Sequence, residues 1–96
     1  MNGPVTITLR EPVQAHGQDL GAIALRPPKG ADIAACGYPL LLLGDGSGVD
    51  AQAQPDARAV TKYIARLGDV PPSTVGQLSA SDWQACMLAI VGFFGA

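Results

Sequence analysis

Few residues of this chain have the types and spacing that chemistry requires. A metal centre draws on two to four Cys, His, Asp or Glu at clip-like spacing; here there is one histidine, His16, and two cysteines, Cys36 and Cys86, fifty positions apart. The run Gly44-Asp45-Gly46-Ser47-Gly48-Val49-Asp50 lacks the alternating oxygen ligands and terminal Glu of a calcium loop. Its glycines are followed neither by the Lys-Ser/Thr pair nor by the helix start that a phosphate cradle uses. His16 falls where a hairpin turn is expected, so its imidazole should be solvated rather than paired with a Ser or Cys nucleophile. The sequence therefore predicts no catalytic residue, no metal, no cofactor and no enzyme. Two constellations remain. Arg58, Lys62 and Arg66 recur every four residues, as on a solvated helix face or a dock for acidic groups. The stretch from Ala85 to Ala96 has no polar side chain at all.

Composition bounds what can position these residues. At 96 residues and 9.8 kDa, one small domain over 1–96 with a modest core is expected. Charged residues are 15% and hydrophobic ones 48%, so the chain has enough apolar material to fold. Six Lys plus Arg against eight Asp plus Glu give a net charge of −2 and a pI near 4.9, which lacks the cationic surplus for nucleic acid or an anionic membrane surface. The apolar run of twelve residues is too short to cross a bilayer, which takes about twenty. Met1-Asn2-Gly3-Pro4 shows no secretory pattern, so a reducing cytoplasm with both thiols free and buried is expected.

The expected fold is α+β: an N-terminal antiparallel β-hairpin (1–28) packed on a small cluster of three to four helices (30–96). Val5-Thr6-Ile7-Thr8-Leu9-Arg10 alternates apolar and polar, placing Val5, Ile7 and Leu9 inward. Ala15-His16-Gly17-Gln18-Asp19 has turn chemistry, and Leu20 to Arg26 reads extended up to Pro27-Pro28. Gly30 to Cys36 is a short helix ended by Gly37. Leu40-Leu41-Leu42-Leu43 fits a buried strand or a helical turn equally, and residues 44–54 read as a flexible loop. Pro55 suits the first position of a helix with Ala57, Val60, Tyr63, Ile64 and Leu67 on one face and Gly68 at its end. Pro71-Pro72 opens a short helical turn with Val75 and Leu78.

The last helix should begin near Ser79–Ser81, where Ser79 and Asp82 form a capping box. At the helical angle, Trp83, Cys86, Met87, Ile90, Phe93 and Phe94 make one bulky face, opposite a strip of small residues at Ala85, Ala89 and Gly92. A helix apolar all round is normally covered all round. In so small a domain, a partner chain or a second copy is expected to cover the excess.

The order Leu25-Arg26-Pro27, Ile64-Ala65-Arg66-Leu67-Gly68, Val70-Pro71-Pro72, Val75, Leu78, Asp82 and Gly92-Phe93-Phe94 resembles the tail assembly chaperones of Mu-like phages and prophages over nearly the whole chain. Two features depart from that pattern: Pro27-Pro28 stand where an acidic residue beside Arg26 is expected, and Asp69 separates Gly68 from Val70. The resemblance implies a cytoplasmic holdase without cofactor. Such a protein coats the long helical tape measure protein before the tail tube polymerises, then leaves, and so is absent from the mature virion. With the apolar C-terminal helix and the basic stripe, it nominates Leu88, Val91, Phe93, Phe94, Arg58, Lys62 and Arg66 as partner-binding residues, with self-association as the other expected contact. The alternative reading is a structural tail or connector subunit that assembles through the hairpin edge or the last helix.

Overall fold

The computed structural model of the chain describes residues 3–43 and 52–95. Strands β1 (Val5–Ala15) and β2 (Gln18–Leu25) form the expected antiparallel hairpin. Its turn is His16-Gly17, with φ of 54° and 76°, the two-residue geometry whose twist matches the flanking strands and for which glycine is suited. Helix α1 (Gly30–Cys36), strands β3 (Leu40–Leu43) and β4 (Gln52–Pro55), and helices α2 (Ala57–Leu67), α3 (Pro72–Val75) and α4 (Ala80–Gly95) complete the described elements. The α+β architecture of hairpin and helices is thus as read from the sequence.

Strand β1 runs further than its alternation indicated. Pairing jumps from Thr8↔Ala22 to Val13↔Leu20, so Leu9 to Pro12 stand opposite Gly21 alone. Pro12, which has no N–H to give a ladder, is tolerated inside this bulge. Leu9, Val13, Ala15, Ile23 and Leu25 are buried and Ile7 partly so, whereas Val5, expected inward, is exposed at the strand's start, beyond the reach of the core. Downstream of the bulge, the Gln77 side chain accepts the Gln14 N–H at 2.9 Å and donates to its carbonyl at 3.3 Å. Thr74 Oγ1 donates to the same carbonyl at 2.6 Å. Side chains from α3 and the turn after it thereby occupy main-chain groups that an open strand edge would leave exposed.

The four leucines form β3, paired antiparallel with β4. Gln52 to Gln54, read from sequence as part of a loop, are therefore strand residues, and residues 44–51 of that predicted loop lie outside the described residues. Pro55 ends β4 instead of opening α2. The N-cap is Asp56, whose carboxylate accepts the N–H groups of Arg58 and Ala59 at 3.1 and 3.4 Å, the stronger cap for orphan amides. Ala59, Val60, Tyr63, Ile64 and Leu67 of α2 are buried, while Ala57, at its first turn, is exposed. The Tyr63 hydroxyl donates to the Gly37 carbonyl at 2.5 Å, tying the end of α1 to the middle of α2.

Gly68 closes α2 where it crosses β2. A Cβ there would stand 2.7 Å from Ile23 Cγ2 and 2.8 Å from the Ile64 carbonyl oxygen, and neither a fully buried side chain nor a backbone atom yields easily. Gly68→Ala should cost about 1–3 kcal/mol by overpacking, read as a lower urea midpoint with unchanged slope. A midpoint equal to the parent's would show that the crossing is not tight.

Candidate partner-binding site

Helix α4 starts at the expected place. Ser79 Oγ accepts the Asp82 N–H at 3.2 Å, and the Trp83 N–H reaches the Ser79 carbonyl at 2.9 Å. Its rotation differs from the expected bulky face. Asp82 is turned inward, where both carboxylate oxygens accept the Arg10 N–H at 3.0 Å and Oδ2 accepts the Glu11 N–H at 3.1 Å. Those amides belong to the β1 bulge, which frees them from the ladder. With Asp82 facing the hairpin, the buried line along the helix is Asp82, Cys86 and Ile90. Trp83 and Met87, which periodicity places with Ile90 against the core, are half-buried on its flanks, while Phe93 and Phe94 are partly exposed, as expected of the helix end.

The flank bearing Trp83 and Met87 opens into a groove of about 630 Å³ lined also by Thr61 of α2, Val75 of α3, Gly76, Leu78 and Gln84. The indole Nε1–H donates to Thr61 Oγ1 at 3.1 Å, so the ring's one polar atom is satisfied within the chain and its remaining surface is apolar. A shallower depression lined by Ala57, Arg58, Thr61 and Lys62 adjoins the groove at Thr61. At 100° per residue, Met87, Val91 and Leu88 follow one another around α4, carrying the groove's apolar wall out to solvent. Leu88 is 61% exposed.

The nominated residues fall into separate environments. Arg58 and Lys62 lie exposed beside the groove, and neither forms an ion pair among the described residues. Arg66, also exposed, is paired: its Nε donates to Asp32 Oδ1 at 2.5 Å, which ties the third cation of the stripe to α1. Leu88 and Val91 are on the outer side of α4. Phe93 is half-buried against the core, and Phe94 meets Tyr38 and Tyr63 edge-on, each with ring centroids 5.5 Å apart. Trp83, Met87, Leu78 and Thr61 were not nominated. Their available signal was the one-turn step from Trp83 to Met87, which periodicity alone assigns to the core.

Burial pushes the Cys86 thiol up to about 11 and raises Cys36 as well, and both are unpaired; neutral thiols are poor nucleophiles. His16 is exposed in the turn, its Nε2 3.2 Å from the Asp69 carbonyl oxygen. Among the described residues no three His, Cys, Asp or Glu side chains gather to hold a metal ion, and no helix is long and apolar enough to cross a membrane.

Hairpin, helical cluster and groove define a small α+β protein with an apolar, helix-walled groove beside two cations that are unpaired among the described residues. The chain belongs to the phage tail assembly chaperone family: the model of the family described as phage tail assembly chaperone proteins, E, or 41 or 14, matches residues 6–95. No curated protein and no solved structure matches it.

Proposed function

We propose that this chaperone, acting as one small domain over residues 1–96, binds the helical tape measure protein in the host cytoplasm and keeps it soluble until the tail tube polymerises around it. It then leaves, without cofactor or catalysis. Membership of the tail assembly chaperone family over residues 6–95 carries this reading, and the unpartnered apolar side of α4 supports it. A long amphipathic helix is kept from aggregating by a surface that covers its apolar stripe reversibly. The client surface comprises Leu88 and Val91 on α4, its end at Phe93 and Phe94, and the cationic side of α2 at Arg58, Lys62 and Arg66. Release comes from competition by tube subunits.

Co-expression with the tape measure protein of the same phage or prophage tests this. The chain is expected to raise the soluble yield of the tape measure protein and to elute with it. Leu88→Ser should weaken co-elution while leaving stability within about 0.5 kcal/mol, as for other surface changes. An equally insoluble tape measure protein would refute the holdase reading. Retention of the chain in purified tails would instead support a structural tail subunit.

A further inference from the structure

We infer that the groove between α2, α3 and α4 seats the apolar side chains of an acidic amphipathic helix, whose carboxylates pair with Arg58 and Lys62. This rests on the tape measure reading and specifies the chemistry of the segment that is held.

Three observations converge on that occupant. The groove and the depression adjoining it each carry a one-turn step: Trp83 and Met87 on α4, and Arg58 and Lys62 on α2, with Thr61 common to both. A helix matches such a pattern with apolar residues at i and i+4 and acidic residues on the adjoining row; an extended strand, with its period of two, does not. Main-chain pairing has less to offer in this region, because the β1 edge nearby is already occupied by Asp82, Gln77 and Thr74.

Charge is the second observation. The chain carries more acidic than basic residues, with a net charge of −2, yet Arg58 and Lys62 stand without ion-pair partners among the described residues while Arg26 and Arg66 both bind Asp32. Two cations left free beside the apolar groove select an acidic partner and set its register along α2. The third is the indole. With Nε1–H already given to Thr61, an entering Leu, Ile or Phe side chain covers Trp83 without stranding a buried donor, and about 630 Å³ lies within the usual range for a concave binding site.

Trp83 is the sole tryptophan, so its emission reports on the groove directly. The full chain is titrated with overlapping peptides covering the tape measure protein. Peptides that bind are expected to carry paired acidic residues beside an apolar i, i+4 pair, to shift Trp83 emission to shorter wavelength, and to bind more weakly as salt rises. The double variant Arg58→Glu with Lys62→Glu, whose sites are exposed and whose Tm should stay close to the parent's, is expected to lose about tenfold or more in affinity. Reversing the peptide's Glu residues to Lys should restore it. Tape measure peptides that bind the double variant as tightly as the parent, or bind without moving Trp83 emission, overturn the groove assignment and leave the proposed function standing. Failure of the parent to bind any of them overturns both. An emission shift produced instead by anionic phosphatidylglycerol vesicles, or by self-association that the double variant abolishes, replaces the acidic helix with a membrane or a second copy.

Discussion

Asp82→Ala is expected to lower the melting temperature by about 10 °C or more, a loss of several increments on the scale for a domain of this size, and to speed hydrogen exchange at the Arg10 and Glu11 amides. Asp82 is 2% exposed, and its carboxylate is the acceptor for the Arg10 and Glu11 amides of the β1 bulge while its own N–H is held by Ser79. Alanine leaves two main-chain donors facing a void that a carboxylate had filled, and removes the acidic group that complements the first turn of α4. The same contacts, the Arg10 amide above all, hold the Asp82 carboxyl below the usual aspartate range against the opposing effect of burial. A carboxylate depressed in the folded state contributes fully above its unfolded pKa of about 3.9 and loses that contribution as pH falls through the folded value. The parent should therefore destabilise in acid more steeply than Asp82→Asn, which keeps an acceptor oxygen but cannot titrate. Thermal melts across pH, with exchange read residue by residue, check this; an Ala variant melting within a few degrees of the parent, with Arg10 and Glu11 still protected, would dismiss the bulge anchor.

Why some of this was legible in the sequence and some was not follows from how far apart the partners lie. The alternation at Val5 to Arg10 indicated a strand, and the spacing of Val60, Tyr63, Ile64 and Leu67 a helix, because burial on one face repeats locally. Ser79 and Asp82 marked the start of α4 for the same reason. What the Asp82 carboxylate does depends on amides 72 and 71 positions away, and that long-range contact is what turns Trp83 and Met87 toward the groove. Leu40 to Leu43 carry no period; pairing with Gln52 to Pro55 decides their state. That pairing also makes Pro55 a strand end and passes the cap to Asp56. At the candidate site, the basic stripe was visible, but its division into two cations unpaired among the described residues and one held by Asp32 was not, because Asp32 belongs to another helix.

Asp32 also resolves the apparent gap beside Arg26. The acidic partner is supplied six residues along: both guanidinium nitrogens Nη1 and Nη2 donate to it at 2.8 Å, and the Lys29 N–H donates to Oδ2 at 2.8 Å as the first turn of α1 closes. Pro27-Pro28 thus carry the chain round to its ion pair. With Arg66 on the other side, one carboxylate joins the end of the hairpin, α1 and α2. Asp32 is 2% exposed while the two arginine side chains are 44% and 43% exposed. Asp32→Ala should therefore cost about 2–4 kcal/mol, less than the loss of one partner from a fully buried pair because both guanidinium groups can turn to water. For a domain with about 5–15 kcal/mol in all, that is a large fraction, and urea denaturation measures it. Arg66→Gln should cost about 1 kcal/mol, since the Arg26 fork remains. The Arg26 guanidinium, chiefly, holds the Asp32 carboxyl far below its ordinary range, so its contribution is complete above about pH 4 and is surrendered only in strong acid. A second consequence reaches the groove face. Without Asp32, Arg66 rejoins Arg58 and Lys62 on the exposed side of α2, so the folded fraction of Asp32→Ala should bind an acidic helical peptide at least as tightly as the parent. Weaker binding by that folded fraction, at unchanged Trp83 environment, would mean that Asp32 shapes the client surface itself rather than only the scaffold beneath it.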